Sequence, residues 1–133
     1  MRLTFNEVKK KIKKMVPSDL EYSVDLEAAS IAIITSEPQR FSEGDGLAGK
    51  IAKTIKRRVE IRPSQDILMD REEAEPKIRE LLPEEAGLHR IYFDAAVSEV
   101  ILICKDPGAA VGPKGVHIRA IRDAIGWLVR IER

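Results

Sequence analysis

Apolar and polar positions in the first half of the chain follow two different periods. Helical spacing of the apolar residues predicts two helices, over 4–16 and 46–58. Short runs rich in β-branched residues predict three strands, at 20–26, 30–35 and 58–63. The first half therefore mixes helices and short strands, which is typical of an α+β domain.

The second half of the chain repeats this order of helices and strands. Pro76 lies inside its first helical segment, where it must kink the helix or mark a later start, because proline lacks an N–H. Tyr92, Phe93 and Trp127 alternate with apolar strand positions and are expected in the core. The predicted elements are a helix at 70–82, strands at 88–94 and 98–105, a helical turn at 107–112, a helix at 116–126 and a strand at 127–133.

Short matches between the two halves indicate an internal repeat. The segment MVPSD at 15–19 corresponds to LLPEE at 81–85, and VEIR at 59–62 corresponds to VRIE at 129–132. Each copy has the order α-β-β-α-α-β in about 60 residues, near the lower size limit of an independently stable domain. We predict an α+β protein of two domains, each with a three-stranded sheet packed on helices. The predicted bounds are 1–63 and 71–133, with a linker at 64–70.

Composition indicates a soluble globular protein. Hydrophobic residues make up 44% and charged residues 34% of the chain. No apolar run approaches the roughly 20 residues of a membrane helix, and the N-terminal segment lacks the apolar stretch of a signal peptide. Cys104 lies in an apolar run and is expected as a reduced thiol, so we expect a cytoplasmic protein that does not bind membranes.

Charge is unevenly distributed along the chain, although the net charge is only +1. Residues 1–14 hold six basic residues and one acid, and residues 112–133 hold five basic residues and two acids. Residues 66–85 hold eight acids and three basic residues. Such asymmetry is compatible with a polyanionic partner, although solvated helix faces also account for charge clusters of this kind.

The segment Gly112-Pro113-Lys114-Gly115 joins two predicted helical segments of the second copy. A nucleotide P-loop needs G-x-x-x-x-G-K-[ST], but the spacing here differs and Gly115 stands where the hydroxyl would be. The form G-x-x-G at a helix–helix junction is that of a KH domain, whose loop clamps about four nucleotides of single-stranded RNA. Glycines let a phosphate approach the main chain, and the following helix presents its positive dipole end. The sequence therefore predicts an RNA-binding loop.

Candidate RNA contacts in the second copy are the loop and its apolar and basic neighbours. Pro113 has no N–H, so one donor to phosphate is missing. Arg119 lies four residues before Asp123, and an ion pair between them is the alternative to RNA contact by Arg119. The predicted contacts are Val111, Gly112, Pro113, Lys114, Gly115, His117, Ile118, Arg119 and Arg122.

The first copy has SEGDG at 42–46 where the second copy has its glycine loop. The G-x-x-G spacing is missing, and Glu43 and Asp45 would repel phosphates, so we expect no RNA clamp there. A structural role is one interpretation of this copy. The other is a basic surface formed by Lys50, Lys53, Lys56, Arg57 and Arg58. The lysines within 9–14 are also able to contact phosphates, although the favoured interpretation is that they form the solvent-exposed face of an amphipathic helix.

Several segments resemble one family over nearly the whole chain. They are RVEIRPSQDILMDREEAEPKIRELLPEEAG, IYFD, SEVILICKDPG and the glycine loop followed by AIGW. In these segments the chain resembles the N-terminal tandem KH region of archaeal β-CASP ribonucleases, the homologues of cleavage and polyadenylation specificity factor. The resemblance implies two type II KH domains that precede a zinc-dependent nuclease. It also implies a role in RNA 3′-end formation, transcription termination or RNA decay.

No catalytic or metal-binding constellation is evident in the sequence. Its two histidines, His89 and His117, do not have zinc-ligand spacing, so we predict no enzyme activity, no cofactor and no small-molecule substrate. The leading hypothesis is a tandem KH module that positions single-stranded RNA for a downstream nuclease domain of the same polypeptide, if the chain is a fragment. Two alternatives remain open. One is a stand-alone NusA-like tandem KH transcription factor, and the other is a protein-interaction or dimerisation platform without nucleic acid.

Overall fold

The structure is a computed structural model that describes residues 3–42 and 46–133. The chain divides into two compact units, Met1–Ser64 and Gln65–Arg133. Each unit contains helices and one three-stranded sheet, so the predicted α+β class is confirmed. Within the described ranges, no helix is both long enough and apolar enough to cross a membrane.

The first unit follows the order α-β-β-α-α-β. Its elements are α1 (Phe5–Met15), β1 (Ser23–Leu26), β2 (Ser30–Thr35), α2 (Gln39–Ser42), α3 (Leu47–Ile55) and β3 (Arg58–Pro63). The central strand is β2, which pairs antiparallel with β1 and parallel with β3. Ile31 of β2 lies opposite Val59 of β3, and Ile33 lies opposite Ile61. This register puts apolar side chains of both strands on the face that packs against the helices.

Helix α1 begins at a capping box and buries one face. The Thr4 hydroxyl accepts from the Glu7 N–H at 3.2 Å, and the Glu7 carboxylate accepts from the Thr4 N–H at 3.2 Å. The hydrogen bonds to Thr4 lower the pKa of Glu7. Val8 and Ile12 are fully buried one turn apart, as the helical spacing predicts. The core of the unit consists of Val8, Ile12, Val16, Leu20, Ile31, Ile33, Phe41, Ile51 and Ile55.

The second unit has the same order of elements and the same strand pairing. Its elements are α4 (Arg71–Leu81), β4 (Leu88–Asp94), β5 (Glu99–Cys104), α5 (Pro107–Val111), α6 (Val116–Ile125) and β6 (Leu128–Glu132). The central strand is β5, which pairs antiparallel with β4 and parallel with β6. Cys104 is a buried free thiol in β5, and its burial raises the pKa of the thiol.

Helix α4 includes Pro76 within its span. The helix begins at Arg71, so of the two alternatives for Pro76, a kink or a later start, the later start is excluded. The Asp70 carboxylate accepts from the Arg71 N–H at 3.1 Å and so helps to fix the helix start. Ala74 and Ile78 are fully buried on the inner face, and this burial holds the helix in place around the proline.

The segment that precedes α4 lies against the turn between α6 and β6. The Met69 N–H donates to the Ile125 carbonyl at 2.8 Å, and Trp127 Nε1–H donates to the Met69 carbonyl at 2.8 Å. A Cβ atom at Gly126 would lie 2.1 Å from the carbonyl oxygen of Ile67. Only glycine therefore permits this close approach of two backbone segments.

The aromatic residues of the second unit have different environments. Trp127 is buried, and its ring contacts that of Phe93 edge-on, with 5.1 Å between the ring centroids. Tyr92 is 47% exposed, so the expectation that it lies in the core is wrong. Tyr92 lies on the edge strand β4, and its hydroxyl accepts from Nη1 of Arg90 at 3.0 Å. Alternation along β4 therefore turns Phe93 inward and Tyr92 outward.

Candidate nucleic-acid interface

The backbone between α5 and α6 takes three left-handed conformations within four residues. The φ angles are +78° at Gly112, +56° at Lys114 and +74° at Gly115. The Gly112 N–H donates to the Gly108 carbonyl at 3.1 Å, and the Gly115 N–H donates to the Gly112 carbonyl at 3.0 Å. The loop is therefore a tight, internally bonded turn whose two glycines occupy conformations that other residues rarely adopt.

Gly112 is required because the ring of His117 occupies the space next to it. A Cβ atom at Gly112 would lie 2.5 Å from Nδ1 of His117 and 2.9 Å from Cγ and Cε1. Nδ1 of His117 lies 3.1 Å from the carbonyl oxygen of Ala109. A carbonyl only accepts, so Nδ1 carries the hydrogen in this bond. His117 thus links the first turn of α6 to α5 by a hydrogen bond, and its ring packs against Gly112 of the loop.

Gly115 has a more open environment. A Cβ atom there would contact only Nη1 of Arg119, at 3.4 Å. The guanidinium of Arg119 donates a hydrogen bond to the carbonyl of Lys114. Arg119 therefore folds back over the loop, whereas Asp123 lies 3.6 Å from Nε of Arg122. The ion pair that the sequence offered as an alternative for Arg119 is replaced by this bond to the loop backbone.

The start of α6 has the features of an anion site. Gly115 is the N-cap residue and has no side chain, so no side-chain hydrogen bond caps the helix. The Val116 N–H donates to the Pro113 carbonyl, and the dipole of the ten-residue helix places partial positive charge at this end. Lys114 is exposed beside it. The following backbone amides and the Lys114 amine are suited to a phosphate.

Apolar side chains flank the loop on both sides. Val111 and Ile118 are half-buried, and Val116 is 45% exposed at the first position of α6. Ile121 and Ile125 are fully buried and anchor α6 to the sheet. Ile118, on the same helix, is less buried than these two isoleucines. Val116 was absent from the predicted contacts, and its position directly after the second glycine was the clue in the sequence.

The predicted contacts from Val111 to Arg119 lie in one stretch of the chain, from the end of α5 through the turn to the first half of α6. Arg122 lies one turn further along α6, and its side chain is 23% exposed. In the first unit, the corresponding connection runs between α2 and α3. The predicted repulsion by Glu43 and Asp45 falls on residues outside those that the structure describes. Among the described residues, no group of three or more His, Cys, Asp and Glu side chains is arranged to hold a metal ion.

Comparisons with known proteins identify relatives over both units. Residues 2–68 match the family model "Transcription termination factor FttA, KH domain". Over 128 residues, the chain is 33% identical to the transcription termination factor FttA of Thermococcus kodakarensis and 36% identical to that of Methanothermobacter thermautotrophicus. Each alignment covers 96% of the chain and 20% of the relative, so the chain spans about a fifth of the length of these proteins.

A similarity to one solved structure is too weak to support an argument. The crystal structure of APE1850 is 17% identical to the chain and gives a TM-score of 0.36, with coverage of 98% of this chain and 100% of that one. The family match bears out the KH part of the resemblance to archaeal β-CASP proteins, and it covers one KH domain rather than a tandem pair. The chain belongs to the FttA KH-domain family, and its α+β fold is KH-like.

Proposed function

We propose that the chain is a tandem KH module that binds single-stranded RNA. Its two type II KH domains are residues 1–63 and 71–133, joined by 64–70. The repeated order of elements and the repeated strand pairing support this division. In both units the last strand pairs in parallel with the central strand, and the two short helices lie between these strands in the chain.

The loop Gly112–Gly115 is the RNA clamp of this proposal. The observation that carries it is the glycine turn set directly before an α6 helix start without a side-chain cap. A phosphate placed there would meet backbone amides and the amine of Lys114. Pro113 contributes no N–H, so Lys114 would supply a larger share of the attraction to an RNA phosphate than in a loop with four amide donors. Bases would then lie over Val111, Val116 and Ile118.

The proposed biological role is RNA delivery during transcription termination. The relatives that support this role are named transcription termination factors. In the family that the sequence resembles, the KH pair precedes a zinc-dependent β-CASP nuclease. We propose that the module positions RNA for such a nuclease domain, while its own residues supply binding and no chemistry.

The decisive variant is Pro113→Asp with Lys114→Asp. Its two carboxylates would repel phosphate where a cation now attracts it, so we expect affinity for single-stranded RNA to fall at least about tenfold at low salt. Lys114 has a left-handed conformation that aspartate tolerates well, so the fold should survive. Fluorescence anisotropy with a labelled oligouridylate of roughly 20 nucleotides measures the affinity, since this length exceeds the site of a single domain.

The matched control is Lys77→Asp with Ala95→Asp. It changes the net charge by the same amount in the same unit, on α4 and in the β4–β5 turn, at positions outside the predicted RNA contacts. Equal affinities of the loop variant and the wild type would reject the clamp. A flat titration of the wild type at low salt, together with a stable oligomer in light scattering, would instead favour a protein-interaction platform.

A further inference from the structure

A groove runs between α1 and the edge strand β1 of the first unit. Its volume is about 430 Å³. One wall is basic and comes from α1. The other wall comes from Tyr22, which precedes β1, and from the first two residues of that strand. The residues that line the groove are Lys9, Lys10, Lys13, Tyr22, Ser23 and Val24.

The basic wall belongs to a helix with far more cations than acids: α1 carries five lysines and one carboxylate, Glu7, which interacts electrostatically with Lys10. The three lysines that line the groove are exposed, and no described carboxylate forms a direct ion pair with their amines. The Glu7 carboxylate is engaged in the capping box. Lys9 lies over the ring of Phe5, with 5.3 Å from Nζ to the ring centroid. The wall therefore presents excess positive charge to whatever enters the groove.

The opposite wall holds an aromatic ring in a fixed orientation. Tyr22 is half-buried, and its ring meets that of Phe41 edge-on at 68°, with 6.2 Å between the centroids. The Tyr22 phenol is protonated at neutral pH and able to donate a hydrogen bond, and partial burial raises its pKa further. In the described part of the unit, β1 is an edge strand whose one partner is β2, so no strand covers its other edge.

We propose that this α1–β1 groove is a second contact site for single-stranded RNA, separate from the glycine loop of the other unit. Lysine amines on one wall suit the phosphates of an extended strand, and an aromatic ring on the other suits a base. An acidic peptide would account for the lysines of the groove but not for the aromatic ring opposite them. The inference rests on the proposed RNA-binding function and adds a site to it.

Two lysine pairs on the same helix provide a matched test. Lys10→Gln with Lys13→Gln removes two charges from the groove, while Lys11→Gln with Lys14→Gln removes two charges from exposed positions outside its lining. Both pairs have the same spacing, and glutamine and lysine have similar helix propensities. The 133-residue chain is titrated with the labelled oligouridylate at several salt concentrations.

The groove pair should reduce the slope of log affinity against log salt by about 1.4, because each contact with a single-stranded phosphate contributes about 0.7. This change corresponds to a loss of about 25-fold at 0.1 M salt, relative to an extrapolated 1 M. The outside pair should leave the slope near that of the wild type. Equal slopes for the two pairs would overturn the proposal, whether both fall or neither falls.

Photocrosslinking gives a second readout. RNA with 4-thiouridine should crosslink to the tryptic peptide that contains Tyr22, and crosslinks confined to the second unit would reject the groove. The loop variant at Pro113 and Lys114 separates the two proposals. If only the loop variant loses RNA binding, the clamp is supported and the groove is rejected. If only the variant at Lys10 and Lys13 loses RNA binding, the groove is supported and the clamp is rejected. A wild-type chain that binds no RNA rejects both.

Discussion

The two glycines of the loop should differ in their tolerance of a side chain. Gly112→Ala places a methyl group within 2.5–2.9 Å of three ring atoms of His117. Gly115→Ala places one 3.4 Å from Nη1 of Arg119, at the far end of a flexible side chain. Both positions have a left-handed φ, but only the first combines that strain with a collision.

The expected cost of Gly112→Ala has two parts. A residue other than glycine in this backbone region, at φ +78° and ψ 168°, costs about 1–3 kcal/mol. Displacement of the ring also breaks the bond from Nδ1 of His117 to the Ala109 carbonyl, which contributes about 1 kcal/mol. We therefore expect the free energy of unfolding of the second unit to fall by about 2–4 kcal/mol. Gly115→Ala should lower it by about 1–2 kcal/mol, the left-handed strain alone.

Urea titration measures these losses, because Trp127 is the only tryptophan and lies in the second unit. His117→Ala supplies the double-mutant cycle. With the ring removed, Gly112→Ala retains its backbone strain but loses its collision, so its cost should drop by about 1 kcal/mol or more. An unchanged cost in the His117→Ala background would refute the packing argument. Equal costs for the two glycine variants in the wild-type background would refute the distinction between the glycines.

Two further predictions concern stability away from the loop. Gly126→Ala should destabilise the second unit by about 3 kcal/mol, because it adds left-handed strain and pushes the backbone at Ile67 and its neighbouring hydrogen bonds apart. Gly49→Ala, at an open helical position, should stabilise the first unit by about 0.5–1 kcal/mol in thermal unfolding. Similar losses of stability for both variants would contradict the close-approach argument. The hydrogen bond from Arg62 lowers the pKa of Glu27 below its ordinary value of 4.5, so Glu27 stabilises the fold above that pH and the contribution disappears as pH falls through the lowered pKa. In the Glu27→Gln variant, the unfolding temperature should therefore fall less between neutral and acid pH than in the wild type. An unchanged pH profile of the unfolding temperature would show that the contact with Arg62 does not stabilise the fold.

Hydrophobic periodicity predicted the longer helices because each of them buries one face, and runs of β-branched residues predicted the strands. The ends of the elements were harder to predict. The helix expected to reach residue 58 ends at Ile55, because Lys56 adopts a left-handed C-cap conformation at φ +57°. Glycine is the usual marker of such an end, and a lysine carries no comparable sequence mark. Two residues then connect the end of α3 at Ile55 to the start of β3 at Arg58.

The glycine spacing predicted the loop, but not the contacts that hold it. Helical rules suggested Asp123 as a partner of Arg119, since residues four apart share a helix face. The structure pairs Arg119 with the carbonyl of Lys114, which lies before the helix begins. The packing of His117 on Gly112 likewise crosses a non-helical turn. Periodicity describes neighbours within one element, so contacts across a turn with three positive φ angles lie beyond its reach.

The repeated topology also does not determine which unit holds RNA. The FttA family match covers residues 2–68, whereas the G-x-x-G loop lies at 112–115 in the other unit. Shared fold is therefore a poor guide to shared function, and the local chemistry has to decide. In the second unit that chemistry is a glycine turn before an uncapped helix. In the first it is the lysine-lined α1–β1 groove, which suits a backbone contact that needs no glycine loop. Under the two proposals, the similar units would bind RNA by different physical means, one through a glycine turn with its amides and Lys114, and the other through lysines beside an aromatic ring.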